Sequence, residues 1–281
     1  MTPHETVVAP LAPHQVEDLT GRIYRDGVIG LPGAFDRSWV ARLGEDVDTA
    51  FADALDRTDG AVGRGPNRYY VEIHPEQLRG FVDLATHPWI SAVCASVLGP
   101  DYQIVEVGFD VPLPGAVDQP WHRDFPMPPV TRDAGTLDSL AVNVTTVDTE
   151  QDMGPFEIAP GTQFDDGADF EHGMFPPKSA YPRYEERAAR KYPRMGDISI
   201  RSALTVHRGT ENHSRKSRPV LVLGVDAPGA ANDERHDMAV TARFWDSLPE
   251  SVRAHLHCPV VDTLRPITQK HTIEGLVMGA S

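Results

Sequence analysis

The sequence predicts a mainly β protein with flanking helices, its strands arranged as a sandwich or barrel. Three observations predict it. Apolar residues Val105, Val107, Phe109, Val111 and Leu113 occupy every second position, the period of a half-buried strand. Further short apolar runs bounded by Gly, Pro or Asp follow at 140–147, 156–159, 197–201 and 220–225. No regular alternation of strand with helix accompanies them, which disfavours a parallel α/β sheet.

Taken in order, the first hundred residues read mainly as helix. Trp39, Val40, Leu43, Val47, Phe51 and Leu55 recur at three- and four-residue steps, one apolar stripe on a helix over 38–55 with Ser38 as its N-cap. The glycine-rich segment 59–67 lacks the Lys-Ser/Thr of a phosphate-binding loop and reads as a plain connection. A second stripe, Trp89, Ile90, Val93, Cys94 and Val97, follows Pro88 and stops at Gly99 and Pro100, which puts Cys94 in the core. The strands begin after Gly99. At 165–194 the pattern breaks into a polar, proline-rich insertion with a short helical piece near 182–191, the kind of segment that serves as a lid or binding loop. After Asp226 the period returns to helical, with Phe244, Leu248, Val252 and Leu256 as the buried face. The expected organisation is one domain over 1–281: a helical part over about 1–100, a strand core over about 101–226 carrying the insertion, and a helical tail over about 227–281.

Composition narrows the function classes. With 26 Lys and Arg against 41 Asp and Glu, the 281-residue chain carries a formal charge of −15, which repels phosphate backbones and anionic lipid headgroups. Neither nucleic acid nor a membrane is an expected partner; a small molecule is. Cys94 and Cys258 lie far apart with no CxxC, against a disulfide scaffold or cysteine zinc site and in favour of a reducing, cytoplasmic setting. The opening residues show no basic and apolar leader pattern, and no run of about 18 apolar residues occurs. The oligomeric state is left open.

The chemistry concentrates in two stretches. In 119–126, QPWHRDFP, an extended chain points His122 and Asp124 to the same side. Their spacing is the His-x-Asp half of the two-histidine, one-carboxylate triad that holds non-haem Fe(II) and leaves its other positions open. In 196–223 a strand leads to His207, then a polar turn, then a second strand opening at Arg218. On neighbouring antiparallel strands His207 and Arg218 can face one cavity, the second presenting a forked cation suited to a carboxylate. Alone, each stretch also reads blandly, as a surface turn and as a buried hairpin histidine with a surface arginine.

Together these stretches resemble the phytanoyl-CoA dioxygenase family of Fe(II)/2-oxoglutarate-dependent oxygenases. The resemblance rests on WHRD at 121–124, GPFEIAPGT at 154–162, GD at 196–197 leading to HRGTEN at 207–212 and Arg218, and the opening YRDGVIGLP at 24–32. It implies a double-stranded β-helix (jelly-roll, cupin-like) core. It further implies that His122, Asp124 and His207 bind Fe(II) and that Arg218 binds the distal carboxylate of 2-oxoglutarate, with Asn143 and Thr210 as further co-substrate contacts. The implied activity is oxidation of a C–H bond of a small organic molecule, hydroxylation included, as O2 is consumed and 2-oxoglutarate becomes succinate and CO2. In related halogenases the aspartate of the metal motif is a small residue, so Asp124 favours oxidation over halogenation. No side-chain nucleophile is needed, in keeping with the absence of a G-x-S-x-G elbow.

Two other readings remain open on the residues: a non-catalytic sensor that binds metal and 2-oxoglutarate, and a zinc-dependent hydrolase or lyase on a cupin-like fold. Arg218 weighs against the latter, where a dicarboxylate clamp has no evident job. Substrate determinants are expected in the insertion, at Phe175, Lys178, Tyr181 and Arg183, with Phe164, Phe170 and Tyr184 as neighbours. The net charge and the acidic cluster Asp165, Asp166 and Asp169 favour a neutral or cationic substrate. His255, His257 and Cys258 could bind zinc only if the tail were not helical, because helical residues two apart do not face each other. His172 and His213 fall in loops.

Overall fold

The structure, a computed structural model, describes residues 10–230 and 236–270. Its helices are α1 (Pro13–Asp26), α2 (Arg37–Leu55), α3 (Phe81–Ala85), α4 (Pro88–Leu98), α5 (Pro129–Ala134), α6 (Tyr181–Glu185), α7 (Ala242–Ser247) and α8 (Glu250–Arg253). The strands are β1 (Val28–Leu31), β2 (Val62–Gly63), β3 (Arg68–Glu72), β4 (Gln103–Pro112), β5 (Ser139–Thr145), β6 (Phe156–Ile158), β7 (Ala189–Lys191), β8 (Ile198–Ser202), β9 (His207–Gly209), β10 (Val220–Asp226), β11 (Val240–Thr241) and β12 (Val260–Val261). Among the described residues no helix is long and apolar enough to cross a membrane.

Seven strands form the main sheet in the order β1-β8-β5-β10-β4-β3-β2, every neighbouring pair antiparallel. A smaller antiparallel sheet, β7-β6-β9, lies opposite, and side chains of both sheets line one cavity. The alternation of side chains divides the main sheet into two chemically distinct faces. On β5, Val142 and Val144 enter the apolar core while Asn143 and Thr145 line the cavity. On β8, Ile198 and Ile200 are core residues while Ser199 and Arg201 face inward. The registers Asn143↔Ser199 and Val222↔Asn143 bring these inward positions into a row across the sheet.

Helices α2 and α4 cover the outer face. Trp39, Val40, Leu43 and Val47 of α2, and Trp89, Ile90, Val93 and Cys94 of α4, join the same cluster as Val107, Phe109, Leu221 and Leu223. The N-cap of α2 is Asp36 rather than Ser38: Asp36 Oδ1 accepts from Trp39 N at 2.8 Å and from Ser38 Oγ at 2.6 Å. A carboxylate at the positive end of the helix outcompetes a hydroxyl one turn position later. Gly99, at φ +96°, ends α4.

The expected helical first hundred residues also contain β1 and β3, both members of the main sheet. At four and five residues they are too short to show a period. The expected helical tail is instead two short helices, α7 and α8, separated at Pro249, with the parallel pair β11-β12. Leu248, Val252 and Leu256 are buried and Phe244 is half-buried, so the apolar spacing survives although one continuous helix does not. Residues 271–281 of that predicted tail, and 1–9 of the first part, lie outside the described residues.

Candidate metal centre

The stretch 119–124 runs beside β9 and adds an irregular fourth strand to the small sheet. His122 N donates to His207 O at 2.9 Å, His207 N returns to His122 O at 2.8 Å, and Gln119 N reaches Gly209 O at 2.9 Å. This closely bonded pair places the two imidazoles side by side, ring centroids 4.4 Å apart. Asp124 is turned to the same side by its own amide, which donates to Ala203 O at 3.0 Å. One ligand atom from each of His122, Asp124 and His207 lies within 4.8 Å of the other two.

The hydrogen bonds fix which atoms face the centre. His122 Nδ1 sits 2.8 Å from Pro120 O and His207 Nδ1 sits 2.9 Å from Thr205 O. A carbonyl only accepts, so each Nδ1 carries the proton and each Nε2 keeps a lone pair. Burial pushes His122 down to about 4. Burial, then the charge of Arg201 and the neighbouring His122, hold His207 well below the ordinary imidazole value. Burial alone would raise the Asp124 carboxyl, but the Arg201 guanidinium and His207 outweigh it and hold it at about 2. Arg201 grips that carboxylate with both terminal nitrogens, Nη1 to Oδ2 at 2.6 Å and Nη2 to Oδ1 at 3.2 Å. Two neutral imidazoles and one oriented carboxylate are the donor set that a divalent transition metal takes, so these residues fit an iron ion.

The cavity beside this centre has a volume of about 410 Å³. Arg218 lines it just before β10, its backbone N donating to Pro112 O at 3.2 Å. It is 3% exposed. Its Nε donates to Met153 O at 3.3 Å, and burial followed by repulsion from Arg68 pushes it down to about 10. It therefore stays cationic at neutral pH. His207 and Arg218 do face one cavity, but from opposite sheets rather than from neighbouring strands, because the 210–217 turn carries the chain across between them.

Arg68 and Arg201 escaped the sequence reading. Arg68, 1% exposed, pairs with Asp110 at 3.1 Å and donates to Thr210 O at 3.1 Å. The Nε atoms of Arg68 and Arg201 are buried without a hydrogen-bond partner, although both residues line the cavity. An unpaired buried donor costs about 1–3 kcal/mol, so the chamber fits an anionic, oxygen-rich ligand. Alternation puts Arg201 on the same face as Ser199, but which face is inward follows only from the neighbouring strands.

Of the other expected site residues, Asn143 lines the cavity, with Nδ2 3.4 Å from Ala141 O. Thr210 does not line it; its hydroxyl donates to Pro155 O at 2.7 Å. Phe175, Lys178, Tyr181 and Arg183 do not line it either. Phe175 is buried against the His122 ring at 5.9 Å, and Tyr181 packs on a cluster of Trp121, Ala159, Phe170, Tyr184 and Val206. Lys178 is exposed, and Arg183 pairs with Asp165 at 2.9 Å. Only the end of the insertion, Lys191 to Pro193, reaches the cavity wall. His172 and His213 are exposed beside Glu171 and Glu211. His255 Nδ1 lies 2.9 Å from Tyr102 O, and its ring stacks on Tyr102, outside any metal cluster found among the described residues.

Two facing antiparallel sheets with a His-x-Asp and a distal His between them define a cupin-like jelly roll with a metal-binding centre. The model of the family described as phytanoyl-CoA dioxygenase matches residues 23–220, and the chain belongs to that family. No curated protein matches the sequence. Among solved structures, the epimerase SnoN, in complex with Fe3+, alpha ketoglutarate and nogalamycin RO, is 20% identical with a TM-score of 0.61, covering 95% of this chain and 98% of that one. The non-heme alpha ketoglutarate dependent carbocyclase SnoK from nogalamycin biosynthesis is 18% identical with a TM-score of 0.59, covering 78% and 88%. AviO1 from Streptomyces viridochromogenes is 18% identical with a TM-score of 0.58, covering 79% and 98%. At these identities the likeness is one of fold.

Proposed function

We propose that this protein is a non-haem Fe(II)- and 2-oxoglutarate-dependent oxygenase that hydroxylates or otherwise oxidises a C–H bond of a small organic molecule. The observation that carries this is the convergence of His122, Asp124 and His207 in a cavity that also holds the buried cation Arg218. His122 and His207 would hold iron through Nε2 and Asp124 through its carboxylate. Bound iron and 2-oxoglutarate supply the oxidising chemistry, consuming O2 and releasing succinate and CO2.

The chain's own contribution is positional. Proton-bearing Nδ1 atoms anchored on Pro120 O and Thr205 O keep both imidazoles aimed and neutral. Arg201 fixes the plane of the Asp124 carboxylate. Arg218 offers its fork to the distal carboxylate of the co-acid, a bidentate geometry that a lysine would not supply. Arg68 adds positive potential beside it and is itself held by Asp110. Asn143, which lines the cavity, would touch the co-acid; Thr210 is assigned no such role, since its hydroxyl is committed to Pro155.

The test is iron content and 2-oxoglutarate turnover, followed as succinate release, in the wild type and in His122→Ala. Loss of both in the variant is expected. Retention of full iron binding and turnover would contradict the assignment.

A further inference from the structure

The segment 59–67 has a role that its lack of a phosphate-loop signature conceals. Arg64 N donates to Arg68 O at 2.9 Å and Arg68 N to Gly65 O at 3.2 Å, a tight turn at the start of β3. Gly65 sits at φ +99° and Asn67 at φ +55°, conformations that ordinary side chains resist. The turn folds Arg64 back so that its guanidinium lies 4.1 Å above the Tyr70 ring. Tyr70 is held in turn by a hydrogen bond to Glu106. A long, flexible cation is thereby fixed in one place before any ligand arrives.

That place is the metal cavity, whose wall Arg64 forms in part. The cavity's charges do not balance. Arg22, Arg64, Arg68, Lys191, Arg201 and Arg218 line it against Asp110, Asp124 and Asp197. Arg68 is paired with Asp110 and Arg201 with Asp124. Asp197 accepts backbone N–H groups from Gly33 and Arg194. Arg22, Arg64 and Lys191 all sit at partly exposed positions, Arg22 beside Asp18, and of the three Arg64 is the one stacked on an aromatic ring. A metal dication and a co-acid dianion cancel each other, and Arg218 is the cation assigned to the co-acid. Among the described residues Arg64 has no carboxylate partner, being held by the ring of Tyr70 alone.

We infer that Arg64 is the anchor for the primary substrate, and that this substrate carries a carboxylate. The inference rests on the oxygenase reading for the identity of the cavity. A single flat guanidinium, backed on one face by an aromatic ring, presents its edge to a planar carboxylate in two parallel hydrogen bonds. The anion would be tethered there while the rest of the molecule extends toward the metal. The overall charge of −15 does not oppose this, because solvent screens charges beyond about 8–10 Å while the cavity wall acts at contact.

The experiment uses matched ligand pairs: small aliphatic and aromatic carboxylic acids, each beside its own primary carboxamide. Binding is read by saturation-transfer NMR on the full chain in the presence of zinc(II) and 2-oxoglutarate, with the same signals followed in Arg64→Gln and Arg64→Lys. The expected result is a preference for acids over their amides of about tenfold or more, the size of a charge-assisted hydrogen bond. Arg64→Gln should abolish it and Arg64→Lys should retain part of it. The affinity for 2-oxoglutarate should be unchanged in both variants. Equal binding of acids and amides, no acid binding at all, or a preference that survives Arg64→Gln would overturn the inference. Loss of 2-oxoglutarate affinity in Arg64→Gln would also overturn it, by assigning Arg64 to the co-acid. Failure of the wild type to bind 2-oxoglutarate would instead refute the oxygenase reading, and the acid preference is scored independently of that outcome.

Discussion

The insertion at 165–194 and the loop at 59–67 make an instructive pair, because their compositions suggest the reverse of what they do. The insertion is rich in aromatic and cationic side chains, yet Phe170, Phe175 and Tyr184 turn inward and are buried. Phe170 and Tyr184 pack with Trp121 and Val206, the residues just before His122 and His207. The Arg123 guanidinium lies 4.3 Å over the Phe170 ring. The insertion is therefore a back-plate for the metal motif. The loop is short and glycine-rich, and it delivers one arginine to the cavity. Residue type announces what a side chain can do; the nearest apolar surface decides whether it is free to do it.

This contrast can be broken at several points. The largest effect is expected from Phe170→Ala, which empties part of the back-plate and should cost about 3–5 kcal/mol of stability. Chemical denaturation checks it, and the variant's folded fraction should still bind 2-oxoglutarate as the wild type does. A loss below about 1 kcal/mol would mean that the insertion does not support the motif. Arg218→Ala should come next. Removing a buried, hydrogen-bonded charge from an ion pair costs about 2–5 kcal/mol, so 2-oxoglutarate affinity should fall by about a hundredfold in an anaerobic binding titration.

Gly65→Ala is a smaller and more pointed change. At φ +99° a Cβ is strained by more than about 1 kcal/mol, and a shifted turn should lower acid binding in the matched-pair NMR assay while leaving 2-oxoglutarate affinity intact. The smallest effects belong to Lys178→Ala and Arg183→Ala. Both residues are exposed, and a surface pair such as Arg183 with Asp165 contributes no more than about 1 kcal/mol. Melting temperature and substrate saturation should match the wild type within error; a large rise in KM for either variant would restore the insertion as the substrate-binding segment.

The metal motif was legible because chemistry and geometry coincide in a single short stretch: His122 and Asp124 two apart on extended chain need no tertiary information to share a side. The main sheet was legible in β4 through its alternation, and in β5, β8 and β10 as apolar runs bounded by turn residues. β1 and β3 were hidden by their brevity, and the tail's helix was interrupted at Pro249 despite well-spaced apolar residues. Arg201 and Arg68 were missed for a different reason. Their inward orientation follows only once each strand's neighbours are known, since an arginine on a short strand reads equally well as solvated. Thr210 shows the converse: its position beside His207 suggested a ligand contact, but a carbonyl at Pro155 lay closer to its hydroxyl.

His122, Asp124 and His207 would hold an iron ion, with a co-acid gripped by Arg218 beside it. Anaerobic titration of the Fe(II)-loaded protein with 2-oxoglutarate tests it most directly, through the weak visible charge-transfer band of a chelated 2-oxo acid. A saturable band is expected in the wild type, requiring far more 2-oxoglutarate to develop in Arg218→Ala. Absence of the band in the wild type, with zinc retained in place of iron, would contradict it.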